Sequence, residues 1–345
     1  MNPNYRPWEI DLRDFPGRGS EVDKLTFLLR FAVLSPSGHN TQPWNFSIVR
    51  NTISLFVNRE RSLERSDPQR RQLLLAFGCM IENLFIAADH YGFAPSVDYF
   101  PDPQNRDLVA IISFDKEGAG SRGADGDLIT AIPLRHTNRG KYLDRSLPAH
   151  FVERVKKYGD DELKLSIVTA TEEKNTIADI VNDATIEIMD NNEFREELSH
   201  YIRSSFTREH TGMPGFALEI PAPISLLASR LIKKINLSRG NKKKDQELLK
   251  RHTPGGFMVI SSRNDEAADR LAAGRLFEKI WLAATKEGLN CSPLASAIQS
   301  PRHNQLLRQA LHTDFEPQVF FRIGYGQKTF RHSPRFAVEQ LLIPS

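Results

Sequence analysis

The sequence has few cysteines: Cys79 and Cys291 are the two among its 345 residues, and they lie far apart in the chain. Two such thiols cannot build the disulfide framework of a small secreted protein, and they fit a reducing compartment. The ten histidines are scattered, and neither they nor the cysteines have the spacing of metal ligands. We therefore predict no metal site and a cytoplasmic location.

Charge of one sign, long apolar runs and a glycine-rich phosphate loop are also missing. Lys and Arg number 46 against 43 Asp and Glu, and this net charge of +3 is too balanced to indicate nucleic-acid binding. No run of about eighteen apolar residues is present, and the N-terminal stretch lacks the apolar core of a signal peptide. The glycines of 322–326 fit a strand end and a turn. We predict neither nucleic acid nor a membrane as a partner.

The most informative stretch that is present is 35–44, Ser-Pro-Ser-Gly-His-Asn-Thr-Gln-Pro-Trp. It follows an apolar run that predicts a helix over 21–34, and it precedes a strand predicted at about 44–49. Pro36 ends the helix, because proline disfavours the helical conformation of the residue before it and has no N–H to donate. Gly38 has no side chain, so the backbone there can approach a neighbouring group closely.

Three uncharged polar side chains lie within this loop. Ser37, Asn40 and Gln42 can each donate and accept hydrogen bonds. This is the chemistry needed to hold a flat heterocycle with mixed donors and acceptors. The alternative is an ordinary polar loop between a helix and a strand, since these residue types are common in turns. His39 fits a structural or stacking role, or proton transfer to a product.

The rest of the chain has the patterns of a mixed helix and strand protein. We predict strands at about 52–57, 96–100, 108–114, 163–169, 257–261 and 319–324, and helices at about 69–91, 149–158, 171–190, 265–287, 303–311 and 336–342. Four glycines and several charges predict a linker over 115–126. The segment 203–252 is poorly periodic, and we predict an irregular lid or insertion there.

A faint internal repeat relates the two halves of the chain. Two sets of small residues recur at a constant offset of 196 positions: Gly78, Ala87, Ala88 and Gly92, then Gly274, Ala283, Ala284 and Gly288. Each set lies on a long apolar helix that ends in glycine. Unrelated buried helices can also share alanines and a terminal glycine, but the constant offset favours a duplicated α+β unit.

The string Ser-Pro-Ser-x-x-Asn-x-Gln-Pro-Trp in 35–44 resembles the flavin loop of the nitroreductase family, whose members bind FMN. The residues of 38–42 are most similar to the tandem, single-chain Acg-like branch of that family. The resemblance implies an α+β, nitroreductase-like fold with two fused pseudo-symmetric halves, each a mainly antiparallel sheet flanked by helices. The first half would span 1–124 and the second 125–345, with the lid or insertion at about 203–252.

The resemblance also implies a cofactor site shared between the halves. Homodimeric relatives combine the loop of one subunit with an Arg-x-Ser-x-Arg element of the other, and the second half carries Arg135, Thr137 and Arg139 in that pattern. The first half has the loop without this element, and the second has the element without the loop. We therefore predict one composite FMN site. Arg135 would bind the phosphate, Thr137 would add a hydroxyl contact, and Arg139 would lie near the pyrimidine edge.

Two further stretches match the flavin site of the family. One corresponds to a segment that passes the central ring of the flavin and directs a backbone N–H at its reactive nitrogen, and it comprises Pro293, Leu294, Ala295 and Ser296. Arg335 corresponds to the closing phosphate element, where Phe336 replaces a second basic residue that is common in the family. Since the cofactor performs the hydride chemistry, we predict no catalytic acid or base in the protein.

The resemblance thus implies an FMN-dependent oxidoreductase that passes hydride from NAD(P)H to a small aromatic acceptor, such as a nitroaromatic or a quinone. A non-catalytic protein that binds or stores FMN under a lid is the alternative, and a structural protein without cofactor is a third. Because the fused halves supply the interface of a dimer, the protein would be a monomer with an internal pseudo-dimer, or a homodimer.

Overall fold

A computed structural model describes residues 3–115, 126–253 and 255–344. The helices of these residues are α1 (Glu21–Ala32), α2 (Arg71–His90), α3 (Ala149–Lys156), α4 (Thr171–Asp190), α5 (Asn192–Ser199), α6 (Ala222–Ser225), α7 (Ala228–Lys234), α8 (Leu237–Arg251), α9 (Ala267–Lys286), α10 (Ser296–Gln299) and α11 (Pro301–Ala310). The strands are β1 (Trp44–Val49), β2 (Thr52–Val57), β3 (Ala94–Tyr99), β4 (Leu108–Asp115), β5 (Leu163–Val168), β6 (Ile202–Arg203), β7 (Met213–Pro214), β8 (Phe257–Ser262), β9 (Asn290–Pro293) and β10 (Glu316–Gly324).

Two four-stranded sheets form the halves of the protein. Their strand orders are β1-β2-β4-β3 and β5-β8-β10-β9, and every pair in them is antiparallel. When the four strands of each sheet are numbered in chain order, both sheets have the strand order 1-2-4-3. The predicted α+β fold with two pseudo-symmetric halves, each a mainly antiparallel sheet flanked by helices, is therefore confirmed. The predicted linker falls almost entirely on 116–125, as does the proposed boundary at 124, and these lie outside the described residues.

The two halves meet at a close crossing of α2 and α9. These helices have the same length, and both their ends are related by the offset of 196 residues. A methyl group on Gly78 would clash with the carbonyl oxygen of Leu271, and one on Gly274 would clash with that of Leu75. Because these two contacts are also related by the offset, the crossing lies on a pseudo-twofold axis.

Helix α1 delivers the chain to the loop at 35–44. It begins at a capping box, in which the Ser20 hydroxyl accepts from the N–H of Asp23 and the Asp23 carboxylate accepts from the N–H of Ser20. The apolar side of the helix, including Phe27 and Phe31, is buried in the main core. The helix ends at Ala32, and the loop then leads directly into β1.

The end of the chain does not form the helix predicted over 336–342. Val338–Gln340 is a single 3₁₀ turn, and the residues after it run beside β1. The N–H of Phe46 donates to Leu341 O at 2.9 Å, and the N–H of Ile343 donates to Phe46 O at 2.8 Å. Pairing with the sheet edge therefore replaces helix formation at the C-terminal end.

An insertion separates β5 from β8, and it is longer and more regular than predicted. It begins with α4 rather than at 203, and its residues 237–251 form α8, which the sequence pattern did not predict. Helix α8 has one buried residue, Leu249, and its sequence is mostly polar. It is held to α4 by three ion pairs: Arg239 with Asp190, Lys242 with Asp183, and Lys250 with Asp179.

Helix α2 is the one helix of the described residues that is long and apolar enough to cross a membrane by length and composition. Most of it is buried between the two halves: 78% of its most apolar 18-residue stretch lies inside the protein. The buried environment identifies α2 as a core helix.

We predict that Gly78→Ala lowers the free energy of unfolding by about 1–3 kcal/mol, because its methyl group overpacks the helix crossing. Urea unfolding measures this difference. Gly240→Ala on α8 is the control, since nothing lies within 4 Å of the added atom. It should raise stability by up to about 1 kcal/mol through helix propensity. A Gly78→Ala protein as stable as the wild type would contradict the close approach of α2 and α9.

Candidate functional site

A cleft between the two halves brings together segments that are distant in sequence. The space between them, including its opening to solvent, is about 520 Å³. Its walls are the loop after α1, the arginine segment at 135–139, the C-terminal segment at 331–335 and two parts of the insertion. The lining residues are Trp8, Pro36, Ser37, His39, Asn40, Arg135, His136, Thr137, Arg139, Met213, Ala217, Arg331, His332, Ser333 and Arg335.

The loop has an unusual backbone that its neighbours hold in place. His39, Asn40 and Gln42 have φ angles of 50°, 58° and 52°, in the left-handed region that side chains seldom adopt. The Asn40 amide donates to Gly212 O and to Pro334 O, both at 3.1 Å. Such over-determined strain is typical of ligand-binding sites.

Two of the predicted loop residues, Gln42 and Gly38, contact other parts of the protein and do not line the cleft. Gln42 is fully buried; its amide nitrogen donates to His210 O at 2.6 Å and its oxygen accepts from the N–H of Phe336 at 3.0 Å. A Cβ atom on Gly38 would lie 2.8 Å from the Gln72 side chain, so the close approach at this glycine is towards α2. Both residues shape the loop, while Ser37, His39 and Asn40 line the cleft.

Arg135 lies at the floor of the cleft between the two halves. Its guanidinium donates to Leu34 O at 2.6 Å, packs 4.5 Å from the centre of the Trp281 ring, and places Nε 3.1 Å from Glu278 Oε1. Both partners of this ion pair are almost completely buried. Burial raises the pKa of Glu278 to about 7, and the opposing effect of Arg135 is smaller.

Arg335 approaches the same place from the C-terminal segment. It donates to the side-chain oxygen of Asn40 and to the carbonyl oxygens of Leu34 and Ser35, and its guanidinium lies 4.8 Å from the centre of the Trp8 ring. Burial, together with the positive charge of Arg135, lowers its pKa well below the usual range for arginine. Carbonyl oxygens satisfy the donors on its two terminal nitrogens but do not neutralise its charge.

Arg139 is held by the insertion. It donates to Ala217 O at 3.3 Å and contacts Met213 Sδ at 3.7 Å. Burial and the nearby charge of Arg322 lower the pKa of Arg139 to about 10. Arg322, which the sequence did not single out, is buried behind it and donates to the carbonyl oxygens of 138–140.

The charges of the cleft do not balance. Arg135, Arg139 and Arg335 line it, with Glu278 as the carboxylate paired with Arg135. The Nε atom of Arg335 is buried without a hydrogen-bond partner, whereas that of Arg135 faces Glu278. Buried guanidinium groups with surplus positive charge suit an anion with several acceptor oxygens, such as a phosphate.

Three histidines at the cleft are unprotonated at neutral pH. Burial lowers the pKa of His39 to about 4, and burial with the neighbouring charges lowers that of His332 to about 4 and that of His136 in the same direction. Each has a buried Nε2 without a hydrogen-bond partner. His136 places Nδ1 3.1 Å from Leu134 O, which assigns the proton to Nδ1 and leaves Nε2 as an acceptor. Neutral imidazoles of this kind suit ligand hydroxyl groups.

The structure does not bring the predicted residues Pro293, Leu294, Ala295 and Ser296 into the lining of this cleft. Thr137 pairs with Cys291, so β9 begins beside the arginine segment as expected. The N–H of Leu294, however, donates to Phe320 O at 2.9 Å, and the Ser296 hydroxyl lies 2.9 Å from that of Thr185. Pairing with β10 and packing against α4 therefore occupy this stretch, and the Leu294 N–H is not available to a ligand.

Residues of the chain ends complete the cleft, and the sequence analysis did not identify them as site residues. Trp8 stacks on His332 with ring centres 4.1 Å apart, and Arg331 lines the same wall. These residues belong to no recognisable motif, and nothing in the sequence indicates that they lie close together. The described residues contain no group of three or more His, Cys, Asp or Glu that could hold a metal ion.

Aromatic side chains of the first half pack together at the C-terminal end of α2. The N-terminal arm places Phe15 against Tyr91, with ring centres 4.0 Å apart, and against Phe27 and Phe93. Phe93 is the repeat partner of Leu289, next to β9. Helix α3 connects to β5 through 157–162, so the second half has no counterpart of the loop at 35–44.

Comparison with known proteins relates this architecture to one family. No protein-family model matches the chain. A crystal structure of "a putative nitroreductase" from Anabaena variabilis matches it with a TM-score of 0.52, at 11% identity, over 94% of this chain and 91% of that one. That likeness concerns the fold alone, and the protein has the nitroreductase fold.

Two curated relatives match most of the sequence. The chain is 26% identical over 311 residues to "Putative NAD(P)H nitroreductase Rv3131" of Mycobacterium tuberculosis, covering 89% of this chain and 86% of that protein. It is 25% identical over 315 residues to "Putative NAD(P)H nitroreductase acg" of the same organism, covering 88% and 89%. The predicted resemblance to the Acg-like branch of the nitroreductases is therefore confirmed.

We predict that His332 makes the protein less stable in mild acid. Its pKa is about 4 in the folded protein and 6.5 in the unfolded chain, so the unfolded state binds more protons and stability falls as pH drops from about 6.5 towards 4. His332→Gln should reduce the loss between about pH 7.5 and pH 5 by about 1–2 kcal/mol. Urea unfolding at both pH values measures it, with the exposed His200→Gln as control. Equal losses in wild type and His332→Gln would disprove the effect.

Proposed function

We propose that the cleft binds FMN at a single site built from both halves of the chain. The observation that carries the proposal is the surplus positive charge of Arg135, Arg139 and Arg335 over Glu278. A phosphate dianion has the sign of charge that would offset it. Beside these arginines, the loop supplies uncharged side chains such as Ser37 that suit a flat ring system with donors and acceptors.

The roles of individual residues follow from their places. Arg135 and Arg335 at the floor would bind the phosphate, with the Thr137 hydroxyl beside them. Arg139 would stabilise negative charge at the pyrimidine edge, which requires its contacts to the insertion to be exchanged. His136 would accept hydrogen bonds from ligand hydroxyls. The stretch 293–296 has no role in this assignment, since its backbone pairs with β10.

We further propose that the protein is an NAD(P)H oxidoreductase that reduces a flat, electron-poor acceptor such as a nitroaromatic or a quinone. The names of the curated relatives, which match most of the chain, support this class. When bound, FMN supplies the hydride transfer. The protein contributes binding and electrostatics. His39, with a pKa of about 4, is unprotonated at neutral pH and is therefore unsuited to protonating a product.

The insertion supports a second candidate, a protein that stores FMN under a lid. Gly212 exchanges hydrogen bonds with Asn40, accepting from its amide and donating to its carbonyl oxygen. Arg139 donates to Ala217 O, and His210 stacks on Phe336 with ring centres 4.6 Å apart. In this candidate the segment 200–218, part of the insertion, would act as the lid and would limit access of a nicotinamide.

The assembly and location we propose follow from the fold and the thiols. The crossing of α2 and α9 replaces a subunit interface, so a monomer is sufficient for one complete site, and a homodimer would need a further surface. Cys79 and Cys291 are free and buried. We propose a cytoplasmic protein on this basis.

We predict that Arg135→Ala abolishes nearly all FMN retention, because one composite site loses its buried phosphate ligand. The absorbance of flavin per protein chain after gel filtration measures retention. Arg139→Gln, whose folding does not depend on the Glu278 ion pair, should also weaken FMN binding, by about ten-fold or more. Arg18→Ala, in the N-terminal arm and outside the lining of the cleft, is the control and should keep full retention. Retention of about half the flavin in Arg135→Ala would indicate a second site.

We predict that NADPH or NADH bleaches the flavin absorbance under anaerobic conditions and that a nitroaromatic or quinone restores it. His210→Ala removes a ring stack from the lid and should speed bleaching by about two- to ten-fold. The exposed His200→Ala is its matched control on the same segment. Flavin that stays oxidised in the wild type and in His210→Ala would favour storage over catalysis. Failure to bind FMN at all would refute both functions.

A further inference from the structure

The outer face of the insertion exposes a row of large aliphatic side chains. Helix α7 and its flanking residues have two apolar sides. Ala228 and Ile232 pack inward on a small cluster of buried residues of the insertion that includes Leu198. Leu227, Leu231 and Ile235 point to solvent at intervals of four residues. Leu227 is 53% exposed and Ile235 is 51% exposed. The neighbouring turns add further exposed aliphatic residues: Ile224, Leu226 and Leu237.

The chain around this row carries charge of one sign. The stretch 220–244 contains seven lysines and arginines and no aspartate or glutamate. Lys233, Arg239 and Lys242 form ion pairs with Glu196 of α5 and with Asp190 and Asp183 of α4. In the part of the chain that the structure describes, no ion pair involves the four exposed cations Arg230, Lys234, Lys243 and Lys244.

We propose that this surface, formed by the outward side chains of 224–244 and called here the α7 face, binds an anionic lipid bilayer peripherally. Aliphatic side chains flanked by Lys and Arg, without acidic residues, are the composition of helices that lie in the interface of a membrane. The aliphatic row would enter the boundary between headgroups and acyl chains. The cations would contact lipid phosphates, and each would contribute separately to binding.

Charge disfavours a second copy of this chain as the occupant. In a twofold dimer through the α7 face, the same patch would meet itself, which would bring Arg230 and Lys234 of both copies together with no carboxylate from 220–244 between them. An anionic bilayer supplies the opposite charge and an apolar interior. The α7 face therefore fits a lipid surface better than it fits its own copy.

The experiment is flotation of the full chain with vesicles of phosphatidylcholine alone and of phosphatidylcholine mixed with phosphatidylglycerol, which measures the partition coefficient. We expect binding to the mixed vesicles that weakens with added salt, and little binding to phosphatidylcholine alone. Arg230→Gln with Lys234→Gln should lower the partition coefficient about thirty-fold, about five-fold for each charge. Leu227→Ser, Leu231→Ser and Ile235→Ser together should lower the partition coefficient at least ten-fold, because each buried CH₂ group contributes about 0.8 kcal/mol to membrane binding.

Matched controls separate this surface from general hydrophobicity. Val22→Ser with Val49→Ser changes two aliphatic residues that are 46% and 50% exposed elsewhere, and it should bind as the wild type does. Wild-type protein that does not float with phosphatidylglycerol vesicles would overturn the proposal. Normal flotation of the variant with all three serine substitutions would also overturn it. A wild-type dimer that becomes a monomer in analytical ultracentrifugation when these substitutions are made would overturn it as well, because the α7 face would then be a dimer interface. None of these outcomes depends on FMN binding or on reductase activity.

Discussion

The close approach of α2 and α9 is the constraint on which the rest of the structure depends. Gly78 and Gly274 let each helix backbone touch a carbonyl group of the other, at Leu271 and Leu75. Any side chain at either glycine would separate the helices and with them the two sheets. The cleft takes walls from both halves, so it depends on a helix crossing whose two glycines do not line it.

Buried positive charge is the second constraint, and it connects the loop to the chemistry. Arg135 and Arg335, which are 200 residues apart in the sequence, both donate to the carbonyl oxygen of Leu34, and Arg335 also donates to Asn40. The same arginines therefore hold the loop and carry the charge for a ligand. Their carbonyl partners lower the cost of burial without neutralising them. A bound phosphate would complete this arrangement.

The insertion illustrates what sequence patterns can miss. Helix α8 is stabilised by ion pairs with α4 rather than by an apolar face, so periodicity could not reveal it. Aliphatic residues such as those of α7 are expected to be buried. The structure shows instead that Ile232 packs inward while Leu231 is exposed. The missing long apolar run predicts no membrane partner, and the exposed α7 face is the basis on which we propose one.

By itself, the sequence determined the features that depend on neighbours along the chain. These include the end of α1 before Pro36, the strands of the first hairpin, the repeat of α2 in α9 and the family of the loop at 35–44. The tertiary structure alone decided which side chains share the cleft. It brought Trp8 and His332 to the cleft and left Leu294 paired with β10. The physical reason is that these contacts join residues far apart in sequence, and their positions follow from how sheets and helices pack rather than from any local pattern.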